Sequence, residues 1–475
     1  MTKKFINDIS ANALQVIINQ LCGLLIFYLL STFLNKNEFG EINWALAVLL
    51  TSFNVLSLGM DQLMVKKIAA GNDVGKIFST YVTHVVIAGS GFYAVLFLSH
   101  LLFNNFFAQH QLLLLLGIAK LMLFFSTPFK QLATGLEKFR SLMLMSICSN
   151  IVRSIALIIL ACMNSLDMFS VVIVFIAGDA IEMMIAWLIA IRFLKVPFRI
   201  RLDRNAYKQI IRESLPQTGV VIFTAAIGRF DWILLGILAS STILAEYSFA
   251  YKVIEMVSLP LLVIAPMLIP RFTKIFQGQN QVAATKLADI QVLLRIEMII
   301  ASLVAMALII CWVPLIDWIT QGKYGTVNRY TIIILSIGMP FLYLNNFLWT
   351  IHFATGALKT IFYIFLFTFL INIAGNFILI PYFKGEGAAI AYTSAVVLQA
   401  VLFLRQTIVI DIAKESFASL LIPLLGMISV LSAHLLFSQW LIILSFAIFC
   451  FVLLLFLTRQ TTGDQRAVFK RVTGF

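Results

Sequence analysis

Residues 441–457 read LIILSFAIFCFVLLLFL, a run without a single charged side chain. A half-buried strand would alternate apolar and polar residues, and this run does not alternate. About 20 apolar residues in a helix match the hydrocarbon thickness of a bilayer. Continuous apolar runs also occur at Leu112–Leu116 and Ile299–Ile310. These runs predict membrane-spanning helices.

The composition of the whole chain agrees with this reading. Hydrophobic residues make up 61% of the 475 residues and charged residues 12%, with a mean hydropathy of +1.00. An ordinary soluble domain is about 45–50% apolar and about 25% charged. In lipid every backbone polar group needs an internal partner, which leaves helices or closed barrels. Because barrel strands alternate with a period of two, we predict an all-α membrane protein.

The apolar stretches between polar breaks predict about 14 spans, from 10–34 to 440–458. Cytoplasmic loops of membrane proteins are enriched in Lys and Arg. With the N-terminus inside, the predicted outer loops hold only Lys36, Lys323, Arg329 and Lys384. We therefore expect both termini in the cytoplasm and an even number of spans. The net charge of +13 then needs no nucleic-acid partner. The first span lacks the cleavage site of a signal peptide, so we expect it to be retained.

The loops divide the chain into four predicted segments. They are an N-terminal six-helix bundle at 1–195, a basic amphipathic cytoplasmic linker at 196–212, a second six-helix bundle at 213–412, and two extra spans with a cytoplasmic tail at 413–475. The linker is expected to lie along the anionic inner leaflet. Simple positive-inside anchoring explains its charge equally well.

The two predicted bundles carry similar short sequences. FGEINWA at Phe39–Ala45 aligns with LAEYSFA at Leu244–Ala250, and each opens the second span of its bundle. ATG at 133–135 aligns with ATG at 354–356, and each ends a fourth span. Both bundles begin on the cytoplasmic side, so the repeat is parallel. Two such bundles around a central cavity can rock to give alternating access.

Several motifs occur in a characteristic order along the chain. They are FGE at 39–41, LGMD at 58–61, SLP at 214–216, GRFD at 228–231, AEYSFAYK at 245–252 and GEGAAIA at 385–391. In this order the motifs resemble the polysaccharide-transporter, or O-antigen flippase, family. That family belongs to the multidrug/oligosaccharidyl-lipid/polysaccharide superfamily.

The resemblance implies a multi-pass protein of the cell inner membrane in lipopolysaccharide or capsule biosynthesis. Such a protein moves an undecaprenyl-diphosphate-linked oligosaccharide from the cytoplasmic to the periplasmic leaflet. It is not an enzyme and needs no cofactor. Membrane lipids, a glycan polymerase and a chain-length regulator are the partners that the resemblance implies.

Charged residues inside predicted spans are the candidate functional residues. They are Lys120, Arg153, Asp179, Glu182, Arg229, Asp231, Lys252 and Glu255. Placing each charged side chain in the bilayer costs on the order of 2.5–3.5 kcal/mol, so a charge that is retained there indicates a structural or functional role. A diphosphate needs cations in place of its lost hydration, and arginine matches phosphate through its planar fork. We therefore predict substrate contacts from Arg229, Arg153, Lys252 and Lys120.

The carboxylates among these residues are candidates for energy coupling. The chain contains no P-loop, so a gradient of H⁺ or Na⁺ is the expected energy source. A buried carboxylate can change protonation between inward and outward states, which suggests Asp179, Glu182, Asp231 and Glu255. A purely structural salt bridge between Asp231 and Lys252, at similar depth in one helical hairpin, is the alternative for that pair.

Two other functions stay open. A drug or metabolite antiporter of the same fold would have a smaller and more acidic cavity. A glycan polymerase would carry a large periplasmic loop with arginines, whereas the longest predicted outer loop, 317–330, holds only Lys323 and Arg329. No metal-ligand spacing is present, and the five cysteines are scattered singly.

Overall fold

The computed structural model describes the backbone of residues 3–70, 73–103, 110–196, 204–276, 284–406 and 410–460. Every regular element in these ranges is a helix, as the continuous apolar runs predicted. The first helices are α1 (Lys3–Phe33), α2 (Lys36–Leu56), α3 (Met60–Ala69), α4 (Val74–Leu102), α5 (Gln111–Gly135), α6 (Phe139–Cys162) and α7 (Met168–Ile189). A short π-helix, Ala190–Leu194, follows α7.

The remaining helices begin after residue 203. They are α8 (Arg204–Leu238), α9 (Ser241–Val257), α10 (Leu259–Phe276), α11 (Ala284–Thr320), α12 (Arg329–Ala354), α13 (Leu358–Gln406), α14 (Ile410–Ser419), α15 (Leu421–Leu436) and α16 (Trp440–Leu457). Residues 204–212, predicted as part of a linker, form the first turns of α8. Residues 197–203 of that linker lie outside the described residues.

Local signals in the sequence place the helix ends. Asn35 caps α2 by accepting from the Glu38 N–H, and the Glu38 side chain accepts from the Asn35 N–H, which is a capping box. The break between α2 and α3 has a left-handed pair, Leu58 with φ 49° and Gly59 with φ 64°. A glycine takes this conformation without strain, so the LGMD motif turns the chain sharply at the end of α2.

Eleven described helices are long and apolar enough to cross a membrane, so the prediction of 14 spans is not confirmed as a count. One of the eleven, α13, has 49 residues and departs from helical geometry at Lys384. At 1.5 Å per residue it measures about 73 Å, more than twice the hydrocarbon thickness of about 30 Å. The break at Lys384 therefore allows α13 to cross twice.

The chain forms two compact units. Unit 1 comprises Met1–Gly236 and Ser240–Ala245, and unit 2 comprises Ile237–Ala239 and Glu246–Phe475. Most of α8 thus belongs to unit 1. Within unit 1, α5 packs against α2, α3, α4 and α7, and α6 packs against α1 and α7. Within unit 2, α12 packs against α10, α11 and α13, and α11 also packs against α15 and α16.

Candidate functional site

Three helices of unit 1 bring oppositely charged side chains together in its interior. The Lys120 Nζ of α5 lies 2.9 Å from Oδ2 of Asp179 on α7. The Arg153 guanidinium of α6 donates to the other oxygen, Oδ1. Asp179 is fully buried, and Lys120 and Arg153 are 4% and 7% exposed. One carboxylate therefore pairs with two cations from two other helices and leaves one positive charge in excess.

Small and aromatic residues of α7 shape the space for these cations. A Cβ on Gly178 would lie 2.5 Å from Arg153 Nε, so only glycine lets the guanidinium lie against α7. The Phe175 ring, one turn earlier, has Lys120 Nζ 5.2 Å and Arg153 Cζ 5.4 Å from its centroid. Both distances allow cation–π attraction, which is stronger where water is excluded.

A second ion pair lies on the same helices. Lys130 Nζ of α5 is 2.6 Å from Oε1 of Glu182, and the Ser149 hydroxyl of α6 donates to Oε2. Lys130 was not among the charged residues predicted as candidates. It lies within α5 and its side chain is only 19% exposed, so it is a further member of the site.

Two amides extend the cluster to α1. Arg153 NH1 donates to Asn150 Oδ1 at 3.2 Å, and Asn150 Nδ2 donates to Asn19 Oδ1 at 2.9 Å. Arg153 Nε is buried and has no acceptor in the described part of the chain. An unpaired donor of a buried guanidinium is costly, so this N–H is suited to an incoming acceptor.

We name the five charged residues Lys120, Lys130, Arg153, Asp179 and Glu182 the α5–α7 cluster. It holds three cations and two carboxylates, a net charge of +1. Of the predicted substrate-binding residues it contains Lys120 and Arg153, and of the predicted coupling residues it contains Asp179 and Glu182. A buried site with excess positive charge attracts anions.

The other predicted site residues lie on α8 and α9. The Arg229 guanidinium stacks over the Trp232 ring, with Cζ 4.3 Å from the centroid. Asp231 is fully buried, and its Oδ1 accepts from the Trp232 N–H at 2.9 Å. Lys252 pairs with Glu255 on α9 at 2.8 Å. These two side chains are 23% and 31% exposed and lie in unit 2.

One buried acid was missed by the sequence analysis altogether. Glu297 on α11 is 6% exposed, and its Oε2 has no hydrogen-bond partner in the described residues. The signal was present, since RIEMIIASLV at 295–304 places an acid inside an apolar run. Within the same ranges, no group of three or more His, Cys, Asp or Glu could hold a metal ion.

The first turns of α8 are tied to α2, α3 and α4 at the end of α2 that carries LGMD. His84 of α4, to which the sequence analysis assigned no role, contacts Tyr207 OH at 3.0 Å and the Leu56 carbonyl at 2.9 Å. The Thr218 hydroxyl donates to the Leu58 carbonyl at 2.8 Å. We name these three contacts, together with the ion pair described next, the α8 latch.

Lys67 of α3 completes the latch by pairing with Glu213 at 2.6 Å. Glu213 lies at the exposed start of α8, outside the candidate spans. Hydrogen bonds from Lys67 and then from the Gln209 amide lower the pKa of the Glu213 carboxyl below its usual value. Burial raises the pKa of the Tyr207 hydroxyl.

The opposite end of α8 makes still closer contact with α2. The Trp44 indole N–H donates to the Ile233 carbonyl at 3.2 Å. A Cβ on Gly236 would lie 2.0 Å from Trp44 Cδ1, and a Cβ on Gly40 would lie 1.7 Å from the Ser241 carbonyl oxygen. Both glycines are required by these approaches. Contacts at both ends thus hold α8 antiparallel along α2.

Comparisons with known proteins agree with this architecture. A family model described as "Polysaccharide biosynthesis protein" matches residues 5–276, more than half of the chain. No curated protein matches the chain.

Among solved structures, the chain is similar to the lipid II flippase MurJ in an inward closed conformation. The TM-score is 0.73 at 15% identity, over 94% of this chain and 98% of that chain. It is also similar to an inward-facing multidrug resistance MATE family transporter of the MOP superfamily, with a TM-score of 0.67 at 13% identity, over 84% and 96% of the two chains. The MATE transporter VcmN of Vibrio cholerae gives a TM-score of 0.57 at 12% identity, over 85% and 94%. At these identities the likeness establishes the fold, and the predicted fold class is confirmed.

Proposed function

This chain belongs to the polysaccharide biosynthesis protein family, and from that premise we propose that it is a flippase for undecaprenyl-diphosphate-linked oligosaccharides. The substrate is an O-antigen or capsule repeat unit, which crosses from the cytoplasmic to the periplasmic leaflet of the inner membrane by alternating access. The family and the fold support the coarser statement, a membrane transporter of the polysaccharide branch.

One observation carries the choice of substrate. The α5–α7 cluster has three buried cations for two carboxylates, and Arg153 Nε has no acceptor in the described residues. Moving a diphosphate away from water requires charged donors to replace its hydration. Arginine supplies them in a planar fork that matches phosphate oxygens. A lipid-linked diphosphate therefore fits the charge and the chemistry of this site.

The cluster also suggests how substrate binding is linked to an ion gradient. Phosphate oxygens that accept from Arg153 and Lys120 compete with Asp179 for the same donors. When Arg153 and Lys120 bind the phosphate instead, the buried Asp179 carboxylate loses its counter-ions. Its anionic form is then far less stable, and Asp179 takes up a proton. The same exchange can operate at Glu182 through Lys130. The proposal extends to Arg229 and Lys252 as further phosphate contacts, and to Asp231 and Glu255 as further coupling carboxylates.

An antiporter of the same fold is the second candidate, because MATE transporters share the architecture. The charge of the α5–α7 cluster discriminates between substrates. A net charge of +1 repels organic cations and favours anions. If the protein is an antiporter, the charge of the α5–α7 cluster therefore favours an anionic metabolite as its substrate.

The test is complementation of a strain in which the gene has been deleted. We expect the deletion to trap single lipid-linked oligosaccharides in the cytoplasmic leaflet, and the wild-type gene to restore surface glycan. Arg153→Gln should fail to restore it at normal membrane levels. The matched control is Arg405→Gln, because Arg405 is exposed at the end of α13.

Each other outcome contradicts a specific part of the proposal. Single units that still reach the surface in the deletion strain would indicate a polymerase. Unchanged glycan with altered drug tolerance would indicate an antiporter. Full complementation by Arg153→Gln would leave the flippase standing but remove the α5–α7 cluster as its substrate site.

A further inference from the structure

Glu297 differs from the other buried or half-buried acids named above because no Lys or Arg among the described side chains forms an ion pair with it. Asp179, Glu182 and Glu255 each lie within 3 Å of a lysine or arginine. Glu297 is 6% exposed, and its Oε2 has no hydrogen-bond partner in the described part of the chain. The next residue, Met298, is fully buried and belongs to the apolar core of unit 2.

The helices packed around α11 offer few charged groups. On α12, Tyr343 is close enough to interact electrostatically with Glu297, and its hydroxyl donates to the Val257 carbonyl at 3.0 Å. His352, also on α12, bonds the Leu348 and Gln406 carbonyls.

On α14, Glu415 accepts from Arg295 of α11, and Lys414 is exposed. α15 and α16 contain no Asp, Glu, Lys or Arg, and the titratable His434 of α15 lies in its last turn. The described side chains of α10 include no charged group.

An isolated carboxylate in such surroundings is held as the neutral acid. The charged form would lose its hydration without gaining a counter-ion, at a cost far above that of binding a proton. The neutral acid can still donate one hydrogen bond and leaves no net charge in the core. Glu297 therefore combines a proton-binding group with a site that disfavours its ionised form at neutral pH in this conformation.

Polar groups precede and follow Glu297 along α11. Arg295, which pairs with Glu415, lies two residues earlier, about 3 Å along the helix axis but about 200° around it, so it does not face Glu297. In the other direction, Ala305 lies two turns further on the same face of α11. It lines a cavity of about 30 Å³ between α11, α12 and α15, enough for about two water molecules.

The wall of that cavity includes a hydroxyl without a partner. Ser336 of α12 is fully buried, and its Oγ has no hydrogen-bond partner in the described residues. Pro340, which also lines the cavity, has no N–H for the Ser336 carbonyl four residues earlier. Ser336 thus adds an unpaired hydroxyl to a wall whose other polar side chain, Ser302, donates to the Met298 carbonyl, and Ser336 lies on the same face of α12 as Tyr343.

We propose that Glu297 is a second proton-binding site of this transporter, in unit 2, which binds and releases a coupling proton in addition to the exchange proposed at Asp179 in unit 1. In the conformation described here the carboxyl group carries the proton. When α11 and α12 rearrange and admit water, Glu297 gives its proton to that water and becomes a carboxylate. The inference rests on the proposed function, since it gives the ion gradient of that function a proton and a residue.

The first readout is independent of transport. Infrared difference spectra of the purified protein between neutral and alkaline pH should show the C=O stretch of a protonated carboxyl group. Glu297→Gln should remove that band and Glu297→Asp should retain it. Asp167→Asn is the control, because Asp167 is a helix cap on the surface. A band that is absent, or unchanged in Glu297→Gln, would overturn the proposal.

The second readout is transport in proteoliposomes with a fluorescent undecaprenyl-diphosphate disaccharide. A pH gradient should accelerate transport by the wild type and by Asp167→Asn. In Glu297→Gln the increase in transport rate caused by the gradient should be at least 10-fold smaller, while transport of the probe without a gradient should be retained. An undiminished response to the gradient in Glu297→Gln would exclude the coupling role. Failure of wild type to move this probe, with the infrared band intact, would instead refute the proposed function.

Discussion

Arg153 on α6 and Asp179 on α7 are joined by a direct hydrogen bond, and the carboxylate is fully buried. The same carboxylate holds Lys120 of α5 at 2.9 Å. One acid thus links three helices of unit 1. The pairs differ in sequence separation by more than twofold, 26 residues for Arg153 and 59 for Lys120.

Removing Asp179 should destabilise unit 1 strongly. Asp179→Asn leaves Lys120 and Arg153 buried without their counter-ion, which costs about 3–5 kcal/mol for a broken buried ion pair. The measurement is unfolding of the purified protein in detergent. Glu255→Gln breaks a partly exposed pair and should cost less than about 1 kcal/mol. Adding Lys120→Met to Asp179→Asn should recover part of the loss. If the two carboxamide variants were equally stable, the α5–α7 cluster would carry no net stabilisation.

Gly178 should be required for the position of the Arg153 guanidinium. In Gly178→Ala the new Cβ overlaps Arg153 Nε at 2.5 Å, so the side chain must move or the helices must separate. Overpacking of this kind costs about 1–3 kcal/mol, and we expect transport to fall about as far as in Arg153→Gln. Both the melting temperature and complementation are measured. Gly91→Ala on α4 is the control, since a Cβ there meets nothing within 4 Å, and it should match the wild type.

Gly236 should control how closely α8 approaches α2. A methyl group at Gly236 would lie 2.0 Å from Trp44 Cδ1, so Gly236→Ala must displace the indole from the Ile233 carbonyl. We expect increased Trp44 accessibility, measured by quenching with only this tryptophan retained. Gly228→Ala on the same helix is the matched control, because a Cβ there contacts nothing. Equal quenching in both variants would contradict the tight approach.

The ion pair of the α8 latch should depend on pH. The folded-state pKa of Glu213 is lowered by Lys67 and Gln209. Its contribution is therefore present above the unfolded pKa, about 4.3, and is lost as pH falls through the folded value. The exposed pair should contribute at most about 1 kcal/mol at neutral pH. Glu213→Gln should lower the free energy of unfolding by that amount at pH 7, and the difference from the wild type should disappear as the pH falls below the folded-state pKa of Glu213. A difference that persists in acid would point to a role for Glu213 other than the ion pair.

Most of the fold was predictable because a helix that crosses a lipid bilayer must be apolar over about 20 residues. Apolar runs near 20 residues identified helices such as α16 and α5 without any knowledge of their neighbours. The motif order identified the family that the match over residues 5–276 establishes. The number of spans was harder to predict. Hydropathy alone does not show whether a charged helix such as α8 crosses the membrane, or whether a broken helix such as α13 crosses once or twice.

The candidate site was predictable only in part. Lys120, Arg153, Asp179 and Glu182 were identified because charges are rare in spans. Lys130 lies near the end of its apolar run and was not taken as a charge inside a span, and Glu297 was missed although it lies inside an apolar run. His84 had no visible partner, because its contacts with Tyr207 and Leu56 come from residues 123 and 28 positions away.

By itself the sequence determined that the chain lies largely in a lipid bilayer, that it is helical, which family it belongs to, and which helices carry charge. These properties follow from composition and local periodicity, which act through neighbouring residues. Only the tertiary structure decided that Asp179 pairs with both Arg153 and Lys120, while Glu297 has no ion pair within the described part of the chain. Helix–helix contacts decide which side chains meet, and one sequence pattern is compatible with many such contacts. The free energy of a buried charge depends on the partner within about 4 Å, a distance that no spacing along the chain specifies.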